Sequence, residues 1–241
     1  MILIFLKPLK LTLATYESGS IWQYLLAHFT IFPIFILVSI ATLFLFKRDL
    51  SYLSFGAGLV GNEMISYVLK RLVRQPRPFF PGSFFSFLKI ISQIIPKDTC
   101  FTMGETDYGM PSSHSQFVAF FLIIVCMRLR KAKFGHGVWK SFLMCLTFLG
   151  CLLTWIGRVQ LGYHSLNQVM VGILLGLALG FFWYLFSESV LRRCLFPLLE
   201  NSSIGKYFYL IDFGDEVLGL SIEYNTKMTL KKKELEKKAK N

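Results

Sequence analysis

Two histidines and a set of cations sit at spacings that suit phosphate chemistry. The stretch Tyr108-Gly109-Met110-Pro111-Ser112-Ser113-His114-Ser115-Gln116 is rich in turn formers and hydroxyls, and an apolar run follows it directly. Pro111 and the serines read as a helix start that Ser112 or Ser113 can cap. His114 then falls in the first turn, among backbone N–H groups that lack intrahelical partners and favour an anion such as phosphate. A capped membrane helix with a surface histidine would give the same pattern, so the rest of the chain must decide.

Upstream lies Lys70-Arg71-Leu72-Val73-Arg74-Gln75-Pro76-Arg77-Pro78. Pro76 disfavours helix at Gln75, which places the helix end near Arg74. Arg77 is held between two prolines, and a fixed guanidinium beside the Lys70 ammonium suits a phosphate or diphosphate. Basic side chains snorkelling at a membrane boundary are the plain alternative. Asn62 and Glu63 lie deeper in the same segment, with Glu63 two turns before Lys70 on nearly the same face. An ionisable group there is either functional or half of a packing ion pair. Downstream, Gly157-Arg158 leads through a turn to His164, and Gln168 follows one helical turn later. Gln168 can therefore hydrogen-bond one ring nitrogen of His164 and leave the other free.

The elements that carry these residues are membrane helices. The 241 residues are 54% hydrophobic and only 17% charged, with 25 Phe, which is not the composition of a soluble domain. Five segments approach the ~20 apolar residues that a crossing needs, at 29–46, 51–69, 115–130, 139–157 and 166–186. The expected fold is an all-α polytopic membrane bundle of five helices in a single membrane domain, residues 1–241. Its catalytic core falls at about 60–185, followed by a basic tail at about 187–241. Residues 20–28 are too short to cross alone and read as interfacial or as an extension of the first span, with a separate sixth helix as the remaining option. Met1–Leu6 lacks the flanks of a cleaved signal peptide. Gly172, Gly176 and Gly180 form a ridge for a neighbouring helix. The five cysteines match no metal spacing and read as packing residues.

The net charge of +12 is concentrated in alternate connections. With five spans, Lys47, Arg48, Arg128, Arg130, Lys131, Lys133, Lys140, Arg192, Arg193 and the lysine-rich end share one side, which marks that side as cytosolic. The tail reads as solvated or headgroup-binding, and nucleic acid is excluded as a partner. The sequon Asn201-Ser202-Ser203 falls on the cytosolic side and is expected to be unused. Lys70, Arg77, His114, Arg158 and His164 all emerge on the opposite side. Residues 79–107, with several Phe, read as an interfacial segment able to contact an apolar tail.

These residues resemble the phosphatidic acid phosphatase type 2 superfamily. Its motifs Lys-x6-Arg-Pro, Pro-Ser-Gly-His and Ser-Arg-x5-His-x3-Asp align in order with Lys70-x6-Arg77-Pro78, Pro111-Ser112-Ser113-His114 and Gly157-Arg158-x5-His164-x3-Gln168. The departures are Ser113 for Gly, Gly157 for Ser and Gln168 for Asp. Together with Asn62-Glu63 and the run Tyr108 to Gln116, they look like the dolichyldiphosphatase branch of that superfamily. The resemblance implies His164 as nucleophile and His114 as general acid. It implies Lys70, Arg77, Arg158, Ser112 and backbone near Ser113 as phosphate ligands, with Gln168 beside the nucleophile and Asn62 and Glu63 in support. It implies a polyprenyl or dolichyl diphosphate lipid as substrate, no metal or other cofactor, and a lumenal site in the endoplasmic reticulum membrane. A lipid phosphatase of broader specificity, or a catalytically silent polyprenyl-lipid binder, remain as alternatives, the second because an amide orients a histidine without adding charge.

Overall fold

The computed structural model describes residues 6–8, 15–17, 20–77, 108–132, 137–214 and 224–233. Pro78 and the 79–107 connection, on which sequence expectations were placed, lie outside the described residues, as does Cys100. A short antiparallel hairpin, β1 (Leu6–Pro8) with β2 (Thr15–Glu17), precedes six helices. They are α1 (Ile21–Phe29), α2 (Phe32–Lys47), α3 (Leu50–Val73), α4 (Ser113–Lys131), α5 (Gly137–Gln160) and α6 (Leu166–Phe186). The helix of α6 runs on through widened, π-helical turns over Ser187–Leu195 into α7 (Phe196–Asn201), so the first residues assigned to the tail are helical; α8 (Ser203–Phe208) follows.

Local chemistry sets the boundaries. Ser20 caps α1, its Oγ accepting from Gln23 N at 3.3 Å. Only Thr30 and Ile31 separate α1 from α2, and Pro33 sits in the first turn of α2, where a missing N–H costs nothing. Residues 21–47 thus form one apolar segment of 27 residues, which makes 20–28 an extension of the first span. Asp49 caps α3 through Ser51 N at 2.8 Å, and Arg74 ends it in the left-handed region at φ 50°, next to the residues that Pro76 constrains.

Four segments among the described residues are long and apolar enough to cross a membrane: 21–47, 113–131, 137–160 and 166–201. α3 is a fifth helix of 24 residues, about 36 Å long, that carries Asn62, Glu63, Lys70 and Arg71. The protein is a multi-pass membrane bundle, and large apolar side chains such as Phe46, Leu174 and Phe182 point outward.

The core is built on α4, whose Phe117, Val118, Ala119 and Phe120 are buried on several sides. α6 approaches it through the glycine ridge. A Cβ on Gly172 would lie 2.7 Å from Ser112 O, and one on Gly176 would run into Gln116 O and Ala119. Lipid tails are as apolar as Leu, so close backbone approach and polar contacts do the joining. One such contact ties α3 to α4: Gln116 Nε2 donates to Asn62 Oδ1 at 2.9 Å and to Asn62 O at 3.2 Å. The antiparallel run of α3 and α4 brings the C-terminal end of α3, the start of α4, the end of α5 and the start of α6 to one end of the bundle.

Candidate active site

His164 sits immediately before α6. Gly162, at φ 75°, turns the chain after α5, and His164 N donates back to Arg158 O at 3.1 Å. Ser165 then caps α6: its Oγ accepts from Gln168 N at 3.3 Å, and Gln168 Oε1 accepts from Ser165 N at 3.2 Å. This reciprocal pair is a capping box, and the Ser-x-x-Gln spacing that announces it is visible in the sequence.

The same Gln168 Oε1 lies 3.2 Å from His164 Nδ1. Its Nε2 donates to Pro76 O at 3.0 Å. Ser165 N can only donate and Pro76 O can only accept, so the backbone fixes which way round the amide lies. An oxygen faces Nδ1, which must therefore carry the ring proton, and the lone pair is left on Nε2. His164 is 2% exposed, and its Nε2 has no hydrogen-bond partner among the described residues. Burial, then the charges of Arg158 and Arg77, push the imidazole down to about 3 against the Gln168 bond, which opposes them. At neutral pH His164 is an uncharged base with one aimed nitrogen.

The cations gather around it. Arg158, in the last turn of α5, is 6% exposed and its guanidinium lies 4.4 Å from the Tyr163 ring centroid. Lys70, in the last turn of α3, donates to Ser113 Oγ at 3.0 Å. The charges of Arg158, Arg77 and Lys70 act on both His164 and His114. His114 is half-buried in the first turn of α4. The structure therefore brings together Lys70, Arg77, Ser113, His114, Arg158, His164 and Gln168.

Ser112 differs from expectation in one respect. It occupies the N-cap position of α4, yet its hydroxyl makes no capping bond; it is fully buried and pairs with Ser115 Oγ at 2.9 Å. Its backbone N–H is spent on Gln168 O at 3.1 Å. Asn62 is engaged by Gln116 deeper in the bundle, and Glu63 lies half-buried beside it in the field of Lys70. Gln75 and Gly109 carry no local signal of a role, because their contacts with Gln168 join positions far apart in the chain. Among the described residues no group of three or more His, Cys, Asp or Glu side chains is placed to hold a metal. A cavity of about 660 Å³ opens elsewhere, between α2, α3, α4 and α5, with walls that include Phe32, Ile36, Phe55 and Phe121 and none of the site residues.

The sequence pattern of the PAP2 superfamily matches residues 51–191, a span that contains every one of these side chains. The chain belongs to the PAP2 superfamily. It is 34% identical to dolichyldiphosphatase 1 of Dictyostelium discoideum over 91% of this chain and 88% of that one. It is 31% identical to dolichyldiphosphatase 1 of Homo sapiens over 86% and 82%. Among solved structures, a transmembrane PAP2-type phosphatidylglycerolphosphate phosphatase from Bacillus subtilis superposes with a TM-score of 0.52 at 21% identity. That match covers 72% of this chain and 80% of the other, and shows the shared fold. On this fold the candidate residues sit at helix ends, and the Ser165 capping box holds Gln168 beside His164.

Proposed function

We propose that this membrane enzyme is a dolichyl diphosphate phosphatase that works through a phosphohistidine. The observation that carries the reading is the unpartnered, buried Nε2 of His164, held neutral and aimed by Gln168 within the field of Arg158, Arg77 and Lys70. The names of the relatives support the lipid diphosphate as substrate.

In this reading the terminal phosphoryl group of dolichyl diphosphate sits among Lys70, Arg77 and Arg158, with its oxygens toward Ser113 and the first turn of α4. His164 Nε2 attacks phosphorus, and the bond to the bridging oxygen breaks. His114 protonates that oxygen, dolichyl phosphate leaves, and phosphorus stays on His164. A water molecule then gives its proton to His114 and attacks phosphorus, releasing inorganic phosphate and restoring both histidines. Phosphoryl transfer needs positioning and charge stabilisation above all, and three cations at a helix N-terminus supply both. Gln168 holds the Nδ1 proton throughout without adding a negative charge. The distribution of basic residues supports a site on the lumenal face of the endoplasmic reticulum and a cytosolic tail, where the enzyme would recycle the carrier lipid of N-glycosylation.

The test is phosphate release from dolichyl diphosphate by the purified full chain in detergent with EDTA. Turnover lost in both His164→Asn and His114→Ala is expected. Binding without turnover by the unsubstituted chain would assign it as a silent lipid binder, and equal turnover of phosphatidate as a broader lipid phosphatase.

A further inference from the structure

The amide of Gln168 has more partners than a histidine-orienting group needs. Oε1 faces His164 Nδ1 and Ser165 N, both at 3.2 Å. Nε2 donates to Pro76 O at 3.0 Å and reaches Gln75 Oε1 at 3.4 Å. Gly109 leaves the room for this: a Cβ there would lie 2.6 Å from Gln168 Nε2. Gly109 N in turn donates to Gln75 O at 2.7 Å, and Ser112 N donates to Gln168 O at 3.1 Å. Three chain segments therefore meet at one side chain. They are the segment after α3 that leads into Arg77, the segment before α4 that leads into His114, and the start of α6 behind His164.

The two ends of the amide have opposite requirements. The His164 and Ser165 side needs an acceptor, which a carboxylate also provides. Pro76 O is an acceptor and needs a donor, which an ionised carboxylate cannot provide. A carboxylate at 168 would set two oxygens against each other in a buried place, where an opposed polar pair is costly. From this geometry we propose that Gln168 is a positioning residue that locks the Arg77 segment to the nucleophile, and that this chain requires an amide there. Gln75 and Gly109 complete the lock. Loosening it moves Arg77 relative to His164, so diphosphate binding suffers along with the chemical step.

The inference rests on the phosphatase reading for its kinetics but not for its binding test. Gln168→Glu keeps the length of the side chain and exchanges the donor for an acceptor. Gly109→Ala keeps Gln168 and displaces the end of its amide. The full chain in detergent is compared with both variants and with the double variant, reading kcat and KM on dolichyl diphosphate and the shift in melting temperature produced by orthovanadate. Q168E is expected to raise KM about tenfold, lower kcat about tenfold and remove most of the vanadate shift, roughly the loss of one buried hydrogen bond in each. G109A should follow in the same direction. The double variant should be no worse than the poorer single one, because both act through one amide. Wild-type KM or a raised kcat in Q168E overturns the proposal, as does a multiplicative loss in the double variant. If Q168E gives no discrete melting transition, G109A decides alone, and an unchanged KM and vanadate shift there overturn it. A vanadate shift in an unsubstituted chain that releases no phosphate from dolichyl diphosphate sinks the substrate reading, and the vanadate series still tests the lock.

Discussion

At the end of the bundle where α3 begins, basic side chains meet carboxylates; at the end where α3 finishes, they surround imidazoles. Arg192 joins Glu188 at 2.6 Å and Asp212 at 2.9 Å, and Lys131 joins Glu188 at 2.8 Å. Ser51 Oγ donates to Asp212 Oδ1 at 2.9 Å, and Arg128 donates to Ser51 O at 3.2 Å. These bonds pin the chain around Asp212 to the start of α3 and the π-helical turns. At the histidine end Lys70 donates to a hydroxyl, Arg158 lies over Tyr163, and three positive charges fall on two imidazoles. One end uses cations to close the fold; the other concentrates positive charge around two imidazoles, which the proposed reading assigns to the phosphates of the substrate.

The largest expected effect tests the histidine end. Arg158→Met should lower kcat/KM about 1,000-fold, the scale for losing a preorganised charge at a transition state. The same variant should melt no lower than the unsubstituted chain without ligand, because Arg158 is a buried cation whose removal relieves desolvation and repulsion from Arg77. A fall in melting temperature with activity retained would put Arg158 in the structural class and erase the contrast.

Arg192→Ala should behave in the opposite way. The side chain is 20% exposed and bonded to two carboxylates, so its loss should cost about 2 kcal/mol, below the full figure for a deeply buried pair because Lys131 and Ser51 still reach the carboxylates. Activity per folded molecule should stay within about twofold of the unsubstituted chain, since a change at the opposite end from the histidines acts through stability. Denaturation in detergent and turnover normalised to folded protein separate the two effects.

The histidine end was the more legible of the two in the sequence, and the reason is locality. His164 and Gln168 are one turn apart, the prolines fix where α3 stops, and the Gly172-Gly176-Gly180 ridge declares its own packing face. What stayed hidden joins distant positions. Gln168 meets Pro76 and Gln75 across more than ninety residues, Asn62 meets Gln116, and Ser112 turns its hydroxyl to Ser115 while its N–H goes to Gln168 O. The Asp212 network was hidden too, since a basic tail gives no sign that an acidic residue within it will fold back on Ser51. The continuation of α6 to Asn201 has no clear mark in the sequence, because Glu188, Arg192 and Arg193 interrupt the apolar run that signals a span.

A gradual effect, about 1.4 kcal/mol for each pH unit, separates the ends by pH. His164 is held at about 3, below the ordinary histidine value of 6.5. As pH falls the unfolded chain takes up this proton first, so stability from neutral His164 is complete above about 6.5 and is lost on the way down toward 3. Relative to His164→Asn, the unsubstituted chain should lose about 1.4 kcal/mol per pH unit inside that window. Orthovanadate should reduce the loss, because a bound anion favours the imidazolium. A stability difference that stays flat from pH 7 to pH 4 would show that the histidine end does not hold this base neutral.

The smallest effect probes whether the carboxylate end is one unit or a set of pairs. The Lys131 side chain is 50% exposed, whereas Glu188 is 16% exposed and keeps Arg192 when Lys131 is removed. Lys131→Ala should therefore cost no more than about 0.5 kcal/mol, and less in high salt, as exposed pairs do. Combining it with Arg192→Ala strips Glu188 of both partners, so the double variant should lose more than the sum of the single losses. If Lys131→Ala alone matches Arg192→Ala, the carboxylate end is cooperative throughout. If the double variant is merely additive, Glu188 stands on solvent rather than on its cations, and the pairing that distinguishes this end from the histidines is geometric but not energetic.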